Sequence, residues 1–235
     1  MELRKAPNER QERELVRNNG GKGCLVELQS GKPGRGAVVT VHGINGSPET
    51  VEPLTANVPK DKSILSFAYD DGHTRLGDSS QQMADSLRNW AKAHPKDKLQ
   101  IRAHCMGARM TVDALRKLSE QGGMPKNIQL DLVAPAAGGF AMANSAKMVP
   151  DPLARLLPNT APGKDMGTNS KFQKQLESTQ LPPQVKTRIF VGDRDSLIQP
   201  QDARFQKVAQ NLNAQVRMMK GEDHMSILGA AGKSL

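Results

Sequence analysis

Residues 99–109 read Leu99-Gln100-Ile101-Arg102-Ala103-His104-Cys105-Met106-Gly107-Ala108-Arg109, and they place a cysteine between a strand-like run and a helical one. A side chain on a sharp strand-to-helix turn is lifted above the sheet and faces backbone N–H groups at the start of the helix. Such N–H groups can stabilise an oxyanion that forms beside the side chain. The stretch therefore predicts that Cys105 is a nucleophile.

Outward from this turn, strand-like and helical patterns alternate along the chain. Short apolar or β-branched runs predict strands at residues 37–41, 63–67, 99–104, 128–134, 187–191 and 216–219. Helical spacing of apolar residues follows Ser79, Cys105 and Pro200. The alternation predicts an α/β fold with a mostly parallel central sheet flanked by helices, whose functional residues collect at the carboxyl ends of the strands.

The length of the chain, 235 residues, fits a single domain over residues 1–235. Residues 1–20 are rich in charged and polar side chains, so we expect a polar N-terminal arm, solvated or fraying as a helix. Residues 135–183 are rich in Ala, Gly, Pro, Met and Leu and are longer than an ordinary connection. Long segments of this kind are usually lids or binding loops, which predicts a lid-like or cap-like insertion before the acid-bearing strand.

The formal net charge of +9 allows an anionic partner such as a phospholipid surface. Nucleic-acid binding is not expected, because Lys and Arg are scattered and only 3% of the residues are aromatic. The sequence shows neither a signal peptide nor an apolar run long enough to cross a bilayer, which favours a cytoplasmic location.

Metal and disulfide chemistry have little support in the sequence. Cys24 and Cys105 are the two cysteines, and they form neither a disulfide framework nor a metal-binding cluster. The group Asp70, Asp71 and His73 matches no metal motif, so a solvated loop is expected there. No cofactor and no metal are predicted.

A nucleophile needs a base, an acid that orients the base, and donors for the oxyanion. His224 follows the last predicted strand and is the candidate base. Asp195 follows the preceding strand and is the candidate acid. Its neighbour Asp193 competes for that role, and the spacing Gly-x-x-Asp-x-Leu-Ile favours Asp195.

The loop after the first predicted strand reads Val41-His42-Gly43-Ile44-Asn45-Gly46, and its glycines let the backbone turn N–H groups inward. The backbone N–H groups of Ile44 and Met106 are the candidate oxyanion donors. His42 and His104 flank the site, and we expect them to pack and to support it rather than to act as bases.

Taken together, these segments resemble the α/β-hydrolase superfamily. Residues 38–49, 103–115 and 134–195 are similar to bacterial lipases and to the lipase-like relatives of GPI-inositol deacylases. The resemblance implies an α/β-hydrolase fold, cleavage of carboxylic esters or acyl lipids through an acyl-enzyme, no cofactor, and a triad of Cys105, Asp195 and His224.

The chain departs from those lipases at the turn itself. Where they have Gly-His-Ser-Met-Gly-Gly, it has Ala103-His104-Cys105-Met106-Gly107-Ala108, so a cysteine stands in place of the nucleophilic serine. Dienelactone hydrolases and polyhydroxyalkanoate synthases of the superfamily also use a cysteine nucleophile. Engineered replacement of a native serine by cysteine would give the same sequence. The cysteine also favours an acyltransferase or thioesterase that uses the same acyl-Cys intermediate. A non-catalytic hydrolase-fold binding protein is the third hypothesis.

Overall fold

The computed structural model describes residues 4–149 and 157–235. Within these residues the core is a seven-stranded sheet with the strand order β1-β3-β2-β4-β5-β6-β7. β1 runs antiparallel to β3, and all the other neighbours are parallel. The strands are β1 Cys24–Gln29, β2 Ala37–Val41, β3 Ser63–Ala68, β4 Leu99–His104, β5 Ile128–Val133, β6 Val185–Gly192 and β7 Gln215–Met219.

The mostly parallel sheet and its flanking helices confirm the predicted fold class. The six predicted strands correspond to β2 through β7, and β1 is an additional strand. The helices are α1 Glu9–Asn18, α2 Leu76–Ala93, α3 Cys105–Gln121, α4 Thr160–Met166, α5 Lys171–Ser178, α6 Ala203–Asn211 and α7 Ile227–Ser234, with 3-10 helices at Pro48–Thr55 and Ala141–Met148. α6 begins three residues after Pro200, because the Asp202 side chain caps it by accepting the N–H groups of Arg204 and Phe205.

The centre of the sheet is buried on both faces, since helices cover both sides of a parallel sheet. Every residue of β2 is buried, and so are the last four residues of β4 and of β5. α2 packs against α3 on this core. Because the carboxyl ends of β2, β4, β6 and β7 meet at one edge, the loops that follow these strands lie together there.

The N-terminal segment differs from the predicted solvated arm. Residues 9–18 form α1, and Glu12 and Val16 on one side of this helix are buried. Ala6 packs with Leu28 and Ile64, and the N–H of Glu49 donates to the Pro7 carbonyl over 3.0 Å. The segment is thus a mostly exposed helix, and it differs from a solvated arm in the buried face formed by Glu12 and Val16.

The predicted insertion at 135–183 contains the second 3-10 helix, α4 and α5, together with an isolated bridge between Phe140 and Gly167. Residues 150–156 of the insertion lie outside the described residues. Described residues of the insertion lie over the edge of the sheet where β4 ends, and the action of the insertion as a lid stays a prediction. Among the described residues, the structure contains no helix with the length and apolarity that a bilayer span requires.

Candidate active site

Cys105 is the first residue of α3 and follows β4 directly. Its φ is +50°, in the left-handed region that a residue with a side chain rarely adopts. Backbone strain of this kind is characteristic of a nucleophile on a strand-to-helix turn. The side chain is 6% exposed.

Two glycines allow the loop after β2 to approach this turn. A Cβ atom on Gly107 would lie 2.1 Å from the carbonyl oxygen of His42, and a Cβ atom on Gly43 would lie 2.8 Å from the Cβ of Cys105. Both distances are far below van der Waals contact. The absence of side chains at these positions is what brings the loop against the start of α3.

His224 and Asp195 line up with Cys105. The Nδ1–H group of His224 donates to Asp195 Oδ2 over 2.8 Å, and the interaction of the same imidazole with Cys105 raises the pKa of His224. The other carboxylate oxygen of Asp195 accepts the N–H groups of Leu197 at 2.8 Å and Ile198 at 3.0 Å. These bonds fix the carboxylate, which in turn fixes the orientation of the ring.

The charges of His224 and Asp195 depend on each other. Burial lowers the pKa of His224, but its hydrogen bonds to Asp195 and Cys105 outweigh burial and raise the pKa to about 10. Burial raises the pKa of Asp195, yet the hydrogen bonds from His224 and Leu197 leave it below its ordinary value. At neutral pH an imidazolium at His224 therefore lies beside the carboxylate of Asp195.

Asp193 has a different partner. Its Oδ1 accepts the N–H of Gly221 over 2.7 Å, and the side chain is exposed. Asp193 therefore braces the loop after β7 against the loop after β6. Of the two competing acids, Asp195 is the one that contacts the ring of His224.

His104 supports the loop that carries His224. One of its ring nitrogens, Nε2, donates to the carbonyl oxygen of His224 over 3.0 Å, and the two rings lie 4.8 Å apart. Burial and the nearby charge of His224 lower the pKa of His104 to about 4. The ring is therefore neutral at physiological pH.

Both candidate oxyanion donors lie beside Cys105. Met106 is in the first turn of α3, where backbone N–H groups have no partner within the helix. Ile44 follows Gly43, which contacts Cys105. The aim of these two N–H groups at an oxyanion stays a prediction.

The sequence did not reveal what supports the loop after β2. Asp71, which was expected in a solvated loop, is partly buried, and burial raises its pKa overall although the backbone of Asn45 and Gly46 acts to lower it. The described residues contain no group of three or more metal-ligating side chains. Beneath the loop, His42 contacts Glu12 of α1. No local pattern could have revealed this contact, because the two residues are 30 positions apart.

Arg109 is a second residue that sequence reasoning missed. It lies one turn after Cys105 in α3, fully buried, where burial lowers its pKa to about 10. Its guanidinium donates to the carbonyl oxygens of Ala136 at 2.7 Å and Asp165 at 2.8 Å, and to Gln173 Oε1 at 2.6 Å. The helix that carries Cys105 is thereby tied to the insertion.

A cavity of about 760 Å³ opens above Cys105. Its lining is mainly apolar, and the insertion contributes much of it. The insertion residues in the lining include Phe140, Met142, Ala143, Ala146, Val149 and Met166. Such a cavity suits an apolar chain attached to the group that reacts at Cys105.

Residues 35–155 match the family described as alpha/beta hydrolase of unknown function (DUF900), and the chain belongs to this family. No curated protein matches the chain.

Solved structures of α/β hydrolases resemble it over most of its length. The mature lipase BlEst2 of Bacillus licheniformis is 16% identical, with a TM-score of 0.64 over 91% of this chain and 96% of that one. A thermophilic esterase from Thermogutta terrifontis is 13% identical, with a TM-score of 0.61 over 90% and 89%. The Vlm2 thioesterase domain is 15% identical, with a TM-score of 0.59 over 91% and 96%. At these identities the likenesses establish the α/β-hydrolase fold.

Proposed function

We propose that the protein is a lipase-like or esterase-like hydrolase that cleaves carboxylic esters or acyl lipids through an acyl-enzyme on Cys105. The observation that carries the proposal is the row of Cys105, His224 and Asp195, in which His224 is hydrogen-bonded to Asp195 and Cys105 has a φ of +50°. A nucleophile, a base and an orienting acid in such a row form the catalytic arrangement of acyl-transfer enzymes.

In the acylation half, the Cys105 thiolate attacks the ester carbonyl carbon and a C–S bond forms. The electron pair of the carbonyl moves onto oxygen, where the N–H groups of Ile44 and Met106 stabilise it. When the tetrahedral intermediate collapses, the bond to the leaving oxygen breaks and His224 gives that oxygen its proton. Asp195 holds the ring in the required tautomer throughout.

In the deacylation half, the neutral His224 removes a proton from water, and the resulting hydroxide attacks the thioester carbonyl. The C–S bond then breaks, the carboxylic acid leaves, and Cys105 is again a thiolate beside an imidazolium. The proton taken from the imidazolium during acylation is thereby restored, so that the cycle closes.

The cavity supports an apolar acyl group as the part of the substrate that is recognised. Its methionines adapt to chains of different shape, because the Met side chain is flexible and polarisable. The net charge of +9 and the exposed side chains of Met142 and Met225 support substrates presented at an anionic lipid surface. The solved structures that resemble the chain include a lipase, an esterase and a thioesterase domain.

The two cysteines provide an internal test of the proposed nucleophile. Burial and the charge of Glu12 raise the pKa of Cys24, so this thiol should react slowly with iodoacetamide. Cys105 should react much faster, and His224→Ala should remove the difference. Equal labelling of the two thiols in the wild type would instead support a non-catalytic binding protein.

The acyl group itself can be identified by intact mass spectrometry after exposure to a panel of activated esters. We expect a single adduct that maps to Cys105 and is absent from Cys105→Ala. An adduct elsewhere, or turnover retained by Cys105→Ala, would refute the proposed nucleophile.

Acyl transfer to another acceptor is the second candidate function. It is favoured by the burial of Cys105 under an apolar cavity, because a thioester shielded from water persists until a thiol or an alcohol arrives. Product analysis with competing alcohols and thiols separates the two activities. Formation of free acid alone would exclude transfer.

A further inference from the structure

The loop after β2 rests on a buried pair, His42 and Glu12, that the proposed mechanism does not use. His42 is 0% exposed and Glu12 is 3% exposed. The distance from His42 Nε2 to Glu12 Oε1 is 2.7 Å. Glu12 belongs to α1, which lies outside the region that matches the family, residues 35–155.

Both ring nitrogens of His42 face oxygen acceptors. Nε2 faces Glu12, and Nδ1 lies 2.8 Å from the carbonyl oxygen of Gly43. A ring between two acceptors satisfies both only when both nitrogens carry protons, which makes His42 a cation. Burial alone would lower the pKa of His42, but the hydrogen bond and charge of Glu12 raise it overall.

The surroundings of His42 favour this charge. Asp71, from the loop after β3, adds a second negative charge near the His42 ring. His104, the last residue of β4, is neutral and therefore adds no opposing positive charge. The Tyr69 ring stacks on His42 with centroids 4.4 Å apart, and burial keeps the pKa of Tyr69 well above 10. Glu12 is thus the hydrogen-bonded counter-ion of a buried imidazolium.

The same contacts hold the backbone on both sides of Ile44. The Tyr69 hydroxyl donates to the carbonyl oxygen of His42 over 2.8 Å. The Gly43 carbonyl accepts from the His42 ring and from the N–H of Gly46 at 3.2 Å. Glu12 Oε1 also accepts the N–H of Tyr69 over 2.9 Å, so one carboxylate joins β3 to the loop.

We infer that Glu12 is a positioning residue for the proposed reaction: through His42 it holds the His42–Gly43 backbone so that the N–H of Ile44 meets the oxyanion on Cys105. The inference rests on the proposed function, because it assigns a role in stabilising the oxyanion. It makes α1 a structural part of the active site. The substrate does not contact Glu12.

Two reagents that attack the same sulfur separate this role from a general loss of structure. Iodoacetamide reacts by displacement of iodide and forms no oxyanion. An alkyl trifluoromethyl ketone adds the thiolate to its carbonyl carbon, and the electron pair moves to oxygen as a tetrahedral oxyanion. The ratio of the two reactivities therefore reports on the oxyanion site without requiring turnover.

Glu12→Gln is the test variant because it removes the charge and keeps the volume. We expect its affinity for the ketone, and its kcat on p-nitrophenyl esters, to fall about tenfold or more, since removal of an oxyanion donor costs about 10²–10³ in kcat. The rate with iodoacetamide and the KM should change less than twofold. Glu14→Gln, the same substitution at an exposed position of the same helix, should leave all of these values unchanged.

The outcomes distinguish failure of the role inferred for Glu12 from failure of the proposed function. A Glu12→Gln variant that matches Glu14→Gln overturns the inference, as does one in which both reagents lose reactivity equally. A wild-type Cys105 that reacts with neither reagent overturns the proposed function. In that case, the ¹⁵N chemical shifts of the His42 ring in the same protein still decide whether His42 and Glu12 form an ion pair. A cationic ring that becomes neutral in Glu12→Gln supports the pair, and a neutral wild-type ring overturns it.

Discussion

Two parts of the molecule meet at Cys105: a floor, made of residues 42–46, 104–107, 195 and 224, and a roof, made of the described residues of the insertion from 140 to 166. The floor stands on the buried ends of parallel strands. Its carboxylate, imidazole and backbone groups are joined by hydrogen bonds, as between Asp195 and His224. The roof carries short helices and large apolar side chains in solvent, with Met142 91% and Met148 87% exposed.

The difference between floor and roof indicates which part governs rate and stability and which part governs the choice of substrate. The floor has little freedom, because each group is held by a neighbour that is itself buried, and catalytic geometry requires such support. The exposed methionines of the roof make few contacts that a substitution would break. We therefore expect changes in the floor to alter rate and stability, and changes in the roof to alter the choice of substrate.

The largest effect should come from the row of side chains in the floor. Asp195→Asn removes the acceptor that fixes the ring of His224, and the corresponding change in a serine triad costs about 10⁴ in kcat. We expect a loss of at least about 10²-fold in kcat on p-nitrophenyl esters. Asp193→Asn is the matched control two residues away, and it should stay within about threefold. A larger loss for Asp193→Asn would reverse the assignment of the acid.

The next effect tests how closely the floor is packed. Gly107→Ala would place a Cβ atom 2.1 Å from the His42 carbonyl, so the loop after β2 must move. We expect a loss of about 1–3 kcal/mol in the free energy of unfolding, measured with urea, and a lower kcat.

Gly77→Ala, in α2, is the control for this change, because nothing lies within 4 Å of the added atom. There alanine should stabilise by about 0.5–1 kcal/mol through its higher helix propensity. Equal stability of the two variants would contradict the close approach at Gly107.

A smaller effect should depend on pH. Folding lowers the pKa of Asp195, which contributes stability above about pH 4 that is lost as the pH falls further. Folding raises the pKa of His224 to about 10, which contributes stability that is complete below about pH 6.5 and disappears as the pH rises toward 10. The pair therefore stabilises most between about pH 4 and 6.5.

His224→Gln should accordingly lower the Tm more at pH 5.5 than at pH 9.5. We expect the two losses, measured by calorimetry, to differ by about 2–4 °C, which corresponds to about 1 kcal/mol for a chain of this size. Equal losses at both pH values would mean that the charge of His224 does not contribute to stability.

The smallest effect should come from the roof. Met142→Ala removes a side chain that solvent already surrounds, so the free energy of unfolding should change by less than about 0.5 kcal/mol. The kcat on short esters should stay within about twofold, while the KM for long-chain esters rises several-fold as an apolar contact is lost. A loss on short esters as large as that of Asp195→Asn would remove the distinction between floor and roof.

Whether the sequence predicts a feature depends on how far apart in the chain the residues that form it lie. The parallel strands follow from short apolar runs, which identify strands buried on both faces. β1 was missed because its burial is partial and its sequence, Cys-Leu-Val-Glu-Leu-Gln, mixes polar and apolar residues. The turn at Cys105 was predictable because strand, cysteine and helix follow each other within eleven residues.

The sequence by itself determined the class of fold, the place of Cys105 on its turn, and the order in which Asp195 and His224 follow the later strands, because each of these depends on local patterns. The tertiary structure alone decided which acid meets His224, what lies under the loop after β2, and how α1 enters the site through Glu12. These contacts join residues tens of positions apart, and their energies come from burial and from charges brought together by the fold. No local pattern records such contacts.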